Sequence, residues 1–490
     1  MRVPTRRIDR LGSALVIALP LAVYGSVIYA YYRRLRTTLE LPDYGDLWRM
    51  SVRYSADGQL QLTEPFVEAQ PFTHIPVVHA VLNHVAITRS DYTIFWVVGS
   101  LAAVAMAWIV SSGLLALLPA SDRRLVPVSA AALAGLLAFR FDVRNMVTNS
   151  LLLESNVLFL QGVVAIAVAC RLAVVRHDRR VGDQRSSSWS TLASNERVLA
   201  AVLLLVLIAG DAPTAVLSMS MIAVALVASV VARNPVASTF RLFGVLGFAA
   251  MLVRWLGLKA LDAQGAAHSG LVTDLVEALV DTLRLIGAGL VNQTAVFTAS
   301  QATYDRVHVV VSLALLGLWA ITIVRLLRRR DPSRHEVALV VGLTLAAASI
   351  VVSSAAIAVL RDVAGNHQAS RSVRGTSLAA PAMLAALYYN LRLAVRGANR
   401  APAVVLAVAL GLVGLRAIAV GNSYEHVGDV VRYRERTATI VCEQPPTVER
   451  WDLLWPGFNE ASIDAALRSE HLDIGRRAGC GETAVAGADR

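Results

Sequence analysis

A chain of 490 residues in which 56% are hydrophobic and only 17% charged, with a mean hydropathy of +0.56, is too apolar for water to be its main solvent, which excludes a soluble enzyme or binding domain. The formal net charge of +11 does not make a nucleic-acid surface, because the basic residues fall in short clusters between apolar runs, the positive-inside pattern of membrane proteins. Cys170, Cys442 and Cys480 are the only cysteines and show neither C-x-x-C spacing nor a His at zinc-ligand distance, so a disulfide-dense scaffold and a cysteine-metal site are excluded as well.

The first apolar run, 11–30, follows Arg2, Arg6, Arg7 and Arg10. At about 20 residues it is long enough to cross roughly 30 Å of hydrocarbon. It leads into Tyr31, Tyr32 and Arg33 without a small-x-small cleavage site, so it reads as an uncleaved first span rather than a secretory signal. Further spans are predicted at 92–118, 125–139, 151–175, 198–208, 213–231, 236–256, 309–326, 337–360, 377–389 and 403–420. The expected fold class is therefore all-α: a polytopic integral membrane protein with about eleven transmembrane helices. A transmembrane domain over 1–421 would be followed by a small extracytoplasmic tail over 422–490.

With the N-terminus in the cytoplasm, the inner loops carry Arg123 and Arg124, then Arg176, Arg179, Arg180 and Arg185, then Arg233, then the basic stretches 325–334 and 392–400. One missed span would invert every later loop, so this agreement argues for the whole count. The weakest step is Gly210-Asp211, where the alternative is two half-length helices in one re-entrant hairpin; that would flip the later parity and is disfavoured. The outer segments are then 31–91, 140–150, the turn 210–212, 257–308, 361–376 and the tail. Several are long, polar and not of low complexity, which a mere scaffold of spans does not need. Within 257–308 the stretch 271–281 has near-helical apolar spacing, with Asp274, Glu277 and Asp281 on the opposite face, and reads as an amphipathic helix on the outer leaflet. There are no internal repeats, heptads or glycine-rich phosphate loop.

The residues able to carry chemistry gather in the outer loops. Directly after the first span runs Leu41-Pro42-Asp43-Tyr44-Gly45-Asp46. Two carboxylates so close to a membrane surface suit a general base, or ligands for a divalent cation beside a phosphate leaving group; the plainer alternative is that one of them caps a helix. Further on, Glu64, Glu68 and His74 precede the second span. His74, His79 and His84 are five apart and would spiral around a helix, so His74 is better suited to acid-base or hydrogen-bonding work than to a three-histidine metal site. Glu154 and Gln161 fall in the outer half of the fourth span, where a polar group needs a partner or water; Glu154 either lines an acceptor cavity or pairs with Arg140 or Arg144. Arg361, His367, Arg371 and Arg374 cluster in the loop 361–376, against positive-inside economy. They either grip a phosphate or snorkel to lipid headgroups. Asp211 is expected to cap the sixth span, and Arg241, Arg254 and Arg416 to snorkel.

The order of these features resembles the GT-C class of membrane glycosyltransferases: a short first span, an outer loop with an Asp pair, a Glu- and His-bearing stretch before the second span, then many spans. The stretch from Arg144 to Asn149 leading to Glu154 and Gln161, the turn Ala209-Gly210-Asp211-Ala212-Pro213 and Ala369-Ser370-Arg371 fit the same class. The chain departs from that pattern at Ile75, where a basic residue is usual, and at Ser372, where an aromatic is. The resemblance covers roughly the first 420 residues and implies a transferase that takes a sugar from a polyprenyl-phosphate donor at the outer face of a bacterial inner membrane. The acceptor would be an envelope glycan, lipid or protein. It also implies that Asp43 or Asp46 is the base or a ligand of a divalent cation such as Mg or Mn, with Glu68, His74, Glu154, Arg361, His367, Arg371 and Arg374 around the substrates. A glycan polymerase or ligase, a flippase of lipid-linked sugars and a non-catalytic assembly subunit remain as alternatives. In the tail, Trp451, Trp455, Pro456 and Phe458 can seed a small core, and Cys442 and Cys480 can pair in an oxidising compartment.

Overall fold

The computed structural model describes residues 85, 93–116, 150–181, 195–231, 235–260, 275–288, 301–329, 331–360, 378–394, 435–454, 459–468 and 473–480. Every element among them is a helix: α1 (Thr93–Ala116), α2 (Ser150–Val181), α3 (Glu196–Ala209), α4 (Ala212–Val231), α5 (Pro235–Ala260), α6 (Leu275–Ala288), α7 (Gln301–Leu327), α8 (Arg334–Leu360) and α9 (Ala379–Ala394), then short helices in the tail. All but α6 coincide with predicted spans. The predicted spans at 11–30, 125–139 and 403–420 lie outside the described residues.

Among the described residues five helices, over Val157–Val181, Ala212–Ser229, Val236–Gly257, Asp305–Leu327 and Arg334–Val359, are long and apolar enough to cross a membrane. Their polarity is inverted relative to a protein in water. On α5 the side chains of Val245, Phe248, Leu252, Val253, Trp255 and Leu256 are exposed while Arg254 is buried; on α7 Val310, Leu313, Ile321 and Val324 are exposed while His308, Ser312 and Thr322 are buried. Large apolar faces turned outward, with the polar side chains of the same helices buried, are stable only in lipid. The chain is a multi-pass α-helical membrane protein.

Without a hydrophobic drive between helices in lipid, close packing holds them together. The α4–α5 hairpin shows how: a Cβ on Gly247 would come within 2.6 Å of the Ser218 carbonyl oxygen, and one on Gly244 would strike the Ala225 Cβ. Phe240, Phe243, Leu246 and Ala250 of α5 join Leu217 and Met221 of α4, Leu199, Leu203 and Leu207 of α3, and Leu172 of α2 in one core. A second core sits between α6, α7, α8 and α9, around Trp319, Leu315, Leu343, Ile350, Ala382 and Ala386. Helix α8 belongs to both, packing against α2 and α4 on one side and α6, α7 and α9 on the other.

Ion pairs gather the helix ends into a basic end of the bundle. Glu196 at the start of α3 meets Arg176 (2.8 Å) and Arg179 (3.0 Å) at the end of α2, and Asp178 meets Arg334 at the start of α8 (2.6 Å). Glu336 pairs with Arg329 and accepts from the Ser333 backbone N–H (2.9 Å) and the Tyr389 hydroxyl (3.4 Å), tying α8 to α7 and α9. The opposite, far end therefore holds the start of α2, the α3–α4 turn, the end of α5, the start of α7 and the end of α8.

The amphipathic stretch is helical, as α6, but its faces differ from the expected ones. Asp281 is buried and receives Arg284 (2.9 Å), while Leu275, Val276 and Leu279 point outward beside Glu277. Burial of Asp281 follows from its protein-side partner: a paired carboxylate can face the bundle where an unpaired one cannot. Asp274 lies outside the described residues. In the tail, Cys442 and Cys480 form a disulfide. It closes a small core of Ile440, Val441, Trp451, Leu454, Ile463, Ala466 and Ile474. Trp455, Pro456 and Phe458, expected to share it, lie outside the described residues.

Candidate functional site

The most concentrated buried polarity among the described residues sits where α3 ends and α4 begins. Gly210 closes α3 in extended conformation, with its N–H donating to the Val206 carbonyl. A Cβ there would lie 2.8 Å from the Val206 oxygen and crowd Thr214, so the close return of the chain favours glycine. Asp211 then starts α4: its carboxylate accepts from the Ala212 N–H (2.5 Å) and its carbonyl from the Thr214 hydroxyl (2.7 Å). The expected capping role of Asp211 is what the geometry delivers.

Two neighbouring helices complete the site. The Asp211 backbone N–H donates to Gln161 Oε1 on α2 (2.9 Å). Arg254 reaches in from α5 and donates through Nη1 to the carbonyls of Leu207 (3.1 Å) and Gly210 and to the Thr214 hydroxyl (3.2 Å). Arg254 and Asp211 are each only 2% exposed and attract one another electrostatically. The snorkelling expected of Arg254 is overturned, because the helix-terminal carbonyls and the Asp211 charge hold the guanidinium inside. Helix dipoles favour both charges: a cation lies against the C-terminus of α3 and an anion at the N-terminus of α4. Arg241, by contrast, is exposed on α5, where snorkelling fits it.

This turn is recessed. Helix α3 has 14 residues, about 21 Å at 1.5 Å per residue, short of the roughly 30 Å of hydrocarbon. From Gln161 back to Ser150, α2 rises about another 16 Å, and from Arg254 to Ala260, α5 rises about another 9 Å. The buried pair thus lies below the far ends of both neighbours. Being a full-length apolar helix, α4 speaks against a re-entrant hairpin.

Of the site residues expected from sequence, Glu154 lies on α2, two turns from Gln161 toward the far end. Asp43, Asp46, Glu68, His74, Arg361, His367, Arg371 and Arg374 lie outside the described residues. The chain leaves α8 at the far end, immediately before Arg361. Among the described residues no group of three or more His, Cys, Asp or Glu is placed to hold a metal ion. Arg254 is the residue that sequence reasoning missed. Its signal is the small and aromatic stripe Phe240, Phe243, Gly247, Ala250 at helical spacing, which Arg254 continues.

Comparison with family models, with curated proteins and with solved structures finds no match for this chain.

Proposed function

We propose that the protein is a GT-C-like glycosyltransferase of a bacterial inner membrane. It takes a sugar from a polyprenyl-phosphate donor and passes it to an envelope glycan, lipid or protein at the extracytoplasmic face. In this reading the basic end of the bundle is cytoplasmic and the far end extracytoplasmic. The motif resemblance gives the reaction class. The observation that supports its location is the gathering of Glu154, the recessed Asp211–Arg254 turn and the root of the Arg361 loop at the far end of the bundle.

The chemistry divides among this chain's residues. Asp43 or Asp46 takes the proton from an acceptor hydroxyl, whose oxygen attacks the anomeric carbon. The bond from that carbon to the donor phosphate breaks, and polyprenyl phosphate leaves with the electron pair. Arg361, His367, Arg371 and Arg374 hold the phosphate as its charge grows, Arg by its planar fork. Glu68, His74 and Glu154 bind sugar or acceptor hydroxyls. A divalent cation such as Mg or Mn, where bound, would be held by Asp43 and Asp46 and would neutralise the leaving phosphate.

The test is mass spectrometry of envelope glycolipids and glycans from cells lacking the protein, complemented with wild type, Asp43→Asn or Asp46→Asn at equal membrane level. One variant should reproduce the missing sugar of the deletion. Restoration of the wild-type profile by both would remove the Asp pair from the chemistry. A second reading, a flippase of lipid-linked sugars, is favoured by the buried charges of Asp211 and Arg254 inside the bundle, since ionisable groups within spans mark substrate paths. Deletion cells would then accumulate the complete lipid-linked sugar in the inner leaflet instead of an untransferred donor in the outer one.

A further inference from the structure

Helices α5 and α7 carry the same outer stripe, although they run in opposite directions across the bundle. On α5 the exposed positions Arg241, Val245, Phe248, Leu252, Trp255 and Lys259 recur every three or four residues, while Phe240, Phe243, Ala250 and Arg254 are buried on the opposite side. On α7 the exposed positions Arg306, Val310, Leu313, Gly317, Ile321 and Val324 recur in the same way, with His308, Leu315, Trp319 and Thr322 buried behind them. Arg328, in the turn that closes α7, continues this stripe, since its backbone N–H donates to the Val324 carbonyl (3.0 Å) as the next helical residue would.

Each stripe is apolar in its middle and closed by a cation at either end. Arg241 and Lys259 lie about 27 Å apart along α5 at 1.5 Å per residue, and Arg306 and Arg328 about 33 Å apart along α7. Both spacings match the roughly 30 Å of a bilayer's hydrocarbon. Lys259 and Arg306 share the far end, Arg241 and Arg328 the basic end. None of the four meets a carboxylate among the described residues, unlike Arg176, Arg179, Arg284, Arg329 and Arg334. A cation on a lipid-facing stripe is costly in hydrocarbon and is relieved by reaching the phosphate layer. The best-defined of the four is Lys259, whose Nζ lies 5.2 Å from the centroid of the Trp255 ring. An aromatic ring at headgroup level with a cation just outside it is the composition of a membrane boundary.

We propose that these four cations bind phospholipid phosphates, Lys259 and Arg306 in the leaflet at the far end and Arg241 and Arg328 in the leaflet at the basic end, with the apolar stripes of α5 and α7 against the acyl chains between them. The inference rests on the membrane assignment and not on the transferase reading. It also sets the level of the buried turn. Arg254 lies about 7.5 Å below Lys259 along α5, so the Asp211–Arg254 pair sits on the acyl side of the far phosphate layer, inside the bundle.

Lys259 is the only lysine in the chain, so lysine isotopically labelled at its side-chain nitrogen gives a single ammonium signal. With the full chain reconstituted in phosphatidylcholine–phosphatidylglycerol vesicles in phosphate-free buffer, solid-state NMR of the frozen sample should show dipolar coupling between that nitrogen and lipid phosphorus, at a separation within about 5 Å. Absence of the coupling would overturn the phosphate contact. Depth is read from one nitroxide label at a time on Phe248→Cys, Leu256→Cys, Val310→Cys or Gly317→Cys, with Cys170 replaced by Ala to leave a single free thiol; a side chain at 317 meets open space. Collisions with oxygen and with a water-soluble nickel chelate should place the labels at 248 and 317 within about 5 Å of the bilayer centre and those at 256 and 310 about 10 Å from it. Equal depth at all four, or the reverse order, would overturn the proposal. Exclusion of oxygen from 248 and 317 would overturn it too, since protein rather than lipid would then cover the stripes.

Discussion

Removing the Arg254 guanidinium leaves the carbonyl oxygens of Leu207 and Gly210 and the charge of Asp211 without their shared partner inside an apolar bundle. Leaving buried acceptors without their charged donor costs on the order of 1–3 kcal/mol or more. Arg254→Met should therefore lower the unfolding midpoint in detergent sharply, and the double variant Arg254→Met/Asp211→Asn should regain part of the loss because no bare charge remains. A single variant as stable as wild type would mean that water already reaches the pair. Glycine offers a second residue-scale contrast. Gly247→Ala forces a methyl group against the Ser218 carbonyl and should cost about 1–3 kcal/mol. Gly317→Ala meets open space on α7 and should be neutral or slightly stabilising, measured by the same unfolding midpoint. At this scale the sequence was half legible. The capping role of Asp211 follows from its place before a helix, whereas the inward turn of Arg254 does not follow from hydropathy. An average over a window carries no information on which side of α5 a residue occupies.

Among the elements, α8 contributes to both cores, and its start is where its connections can be tested. Ser333 and Glu336 form a capping box, with the Glu336 carboxylate accepting from the Ser333 backbone N–H (2.9 Å) while also pairing with Arg329. Glu336→Ala should cost about 1–2 kcal/mol through the lost cap and pair. Asp178→Asn, which weakens the half-exposed Asp178–Arg334 pair and the Asp178 contact with His177 (3.5 Å), should cost less than about 1 kcal/mol. Equal effects in a side-by-side unfolding series would make the two ends of α8's network energetically alike and the capping contribution negligible. The S-x-x-E signature at Ser333 is readable in the chain, as is the apolar length of α4, α5, α7 and α8. Helix ends are not, and α2 shows why. Its apolar stretch was expected to stop at 175, but the helix runs on to Val181 through His177, Asp178, Arg179 and Arg180. Hydropathy marks the thickness of hydrocarbon, while ion pairs to α3 and α8 extend the helix beyond it. For α6 the period was right and the solvent-facing side was not, because Arg284 and Asp305 supply on the protein side what water was expected to supply.

For the molecule as a whole, the orientation of its two ends is what joins the fold to any chemistry at the far end. The basic end gathers Arg176, Arg179, Arg329 and Arg334, and the orientation proposed above sets that end in the cytoplasm. The Cys442–Cys480 disulfide belongs to an oxidising compartment. Between the exposed Asp331 at the basic end and the tail lie α8, α9 and the predicted span 403–420. If all of these cross, Asp331 and the tail face opposite compartments. In intact cells a membrane-impermeant maleimide should accordingly label Leu453→Cys once the outer envelope is permeable, and should reach Asp331→Cys only after the inner membrane is opened. Labelling of both from the same side would mean that one of α9 and 403–420 does not cross. The shorter α9, at 16 residues, about 24 Å, would be the first suspect. In that event the tail would share the cytoplasm with the basic end, its disulfide would lose its oxidising surroundings, and the far end alone would face the envelope.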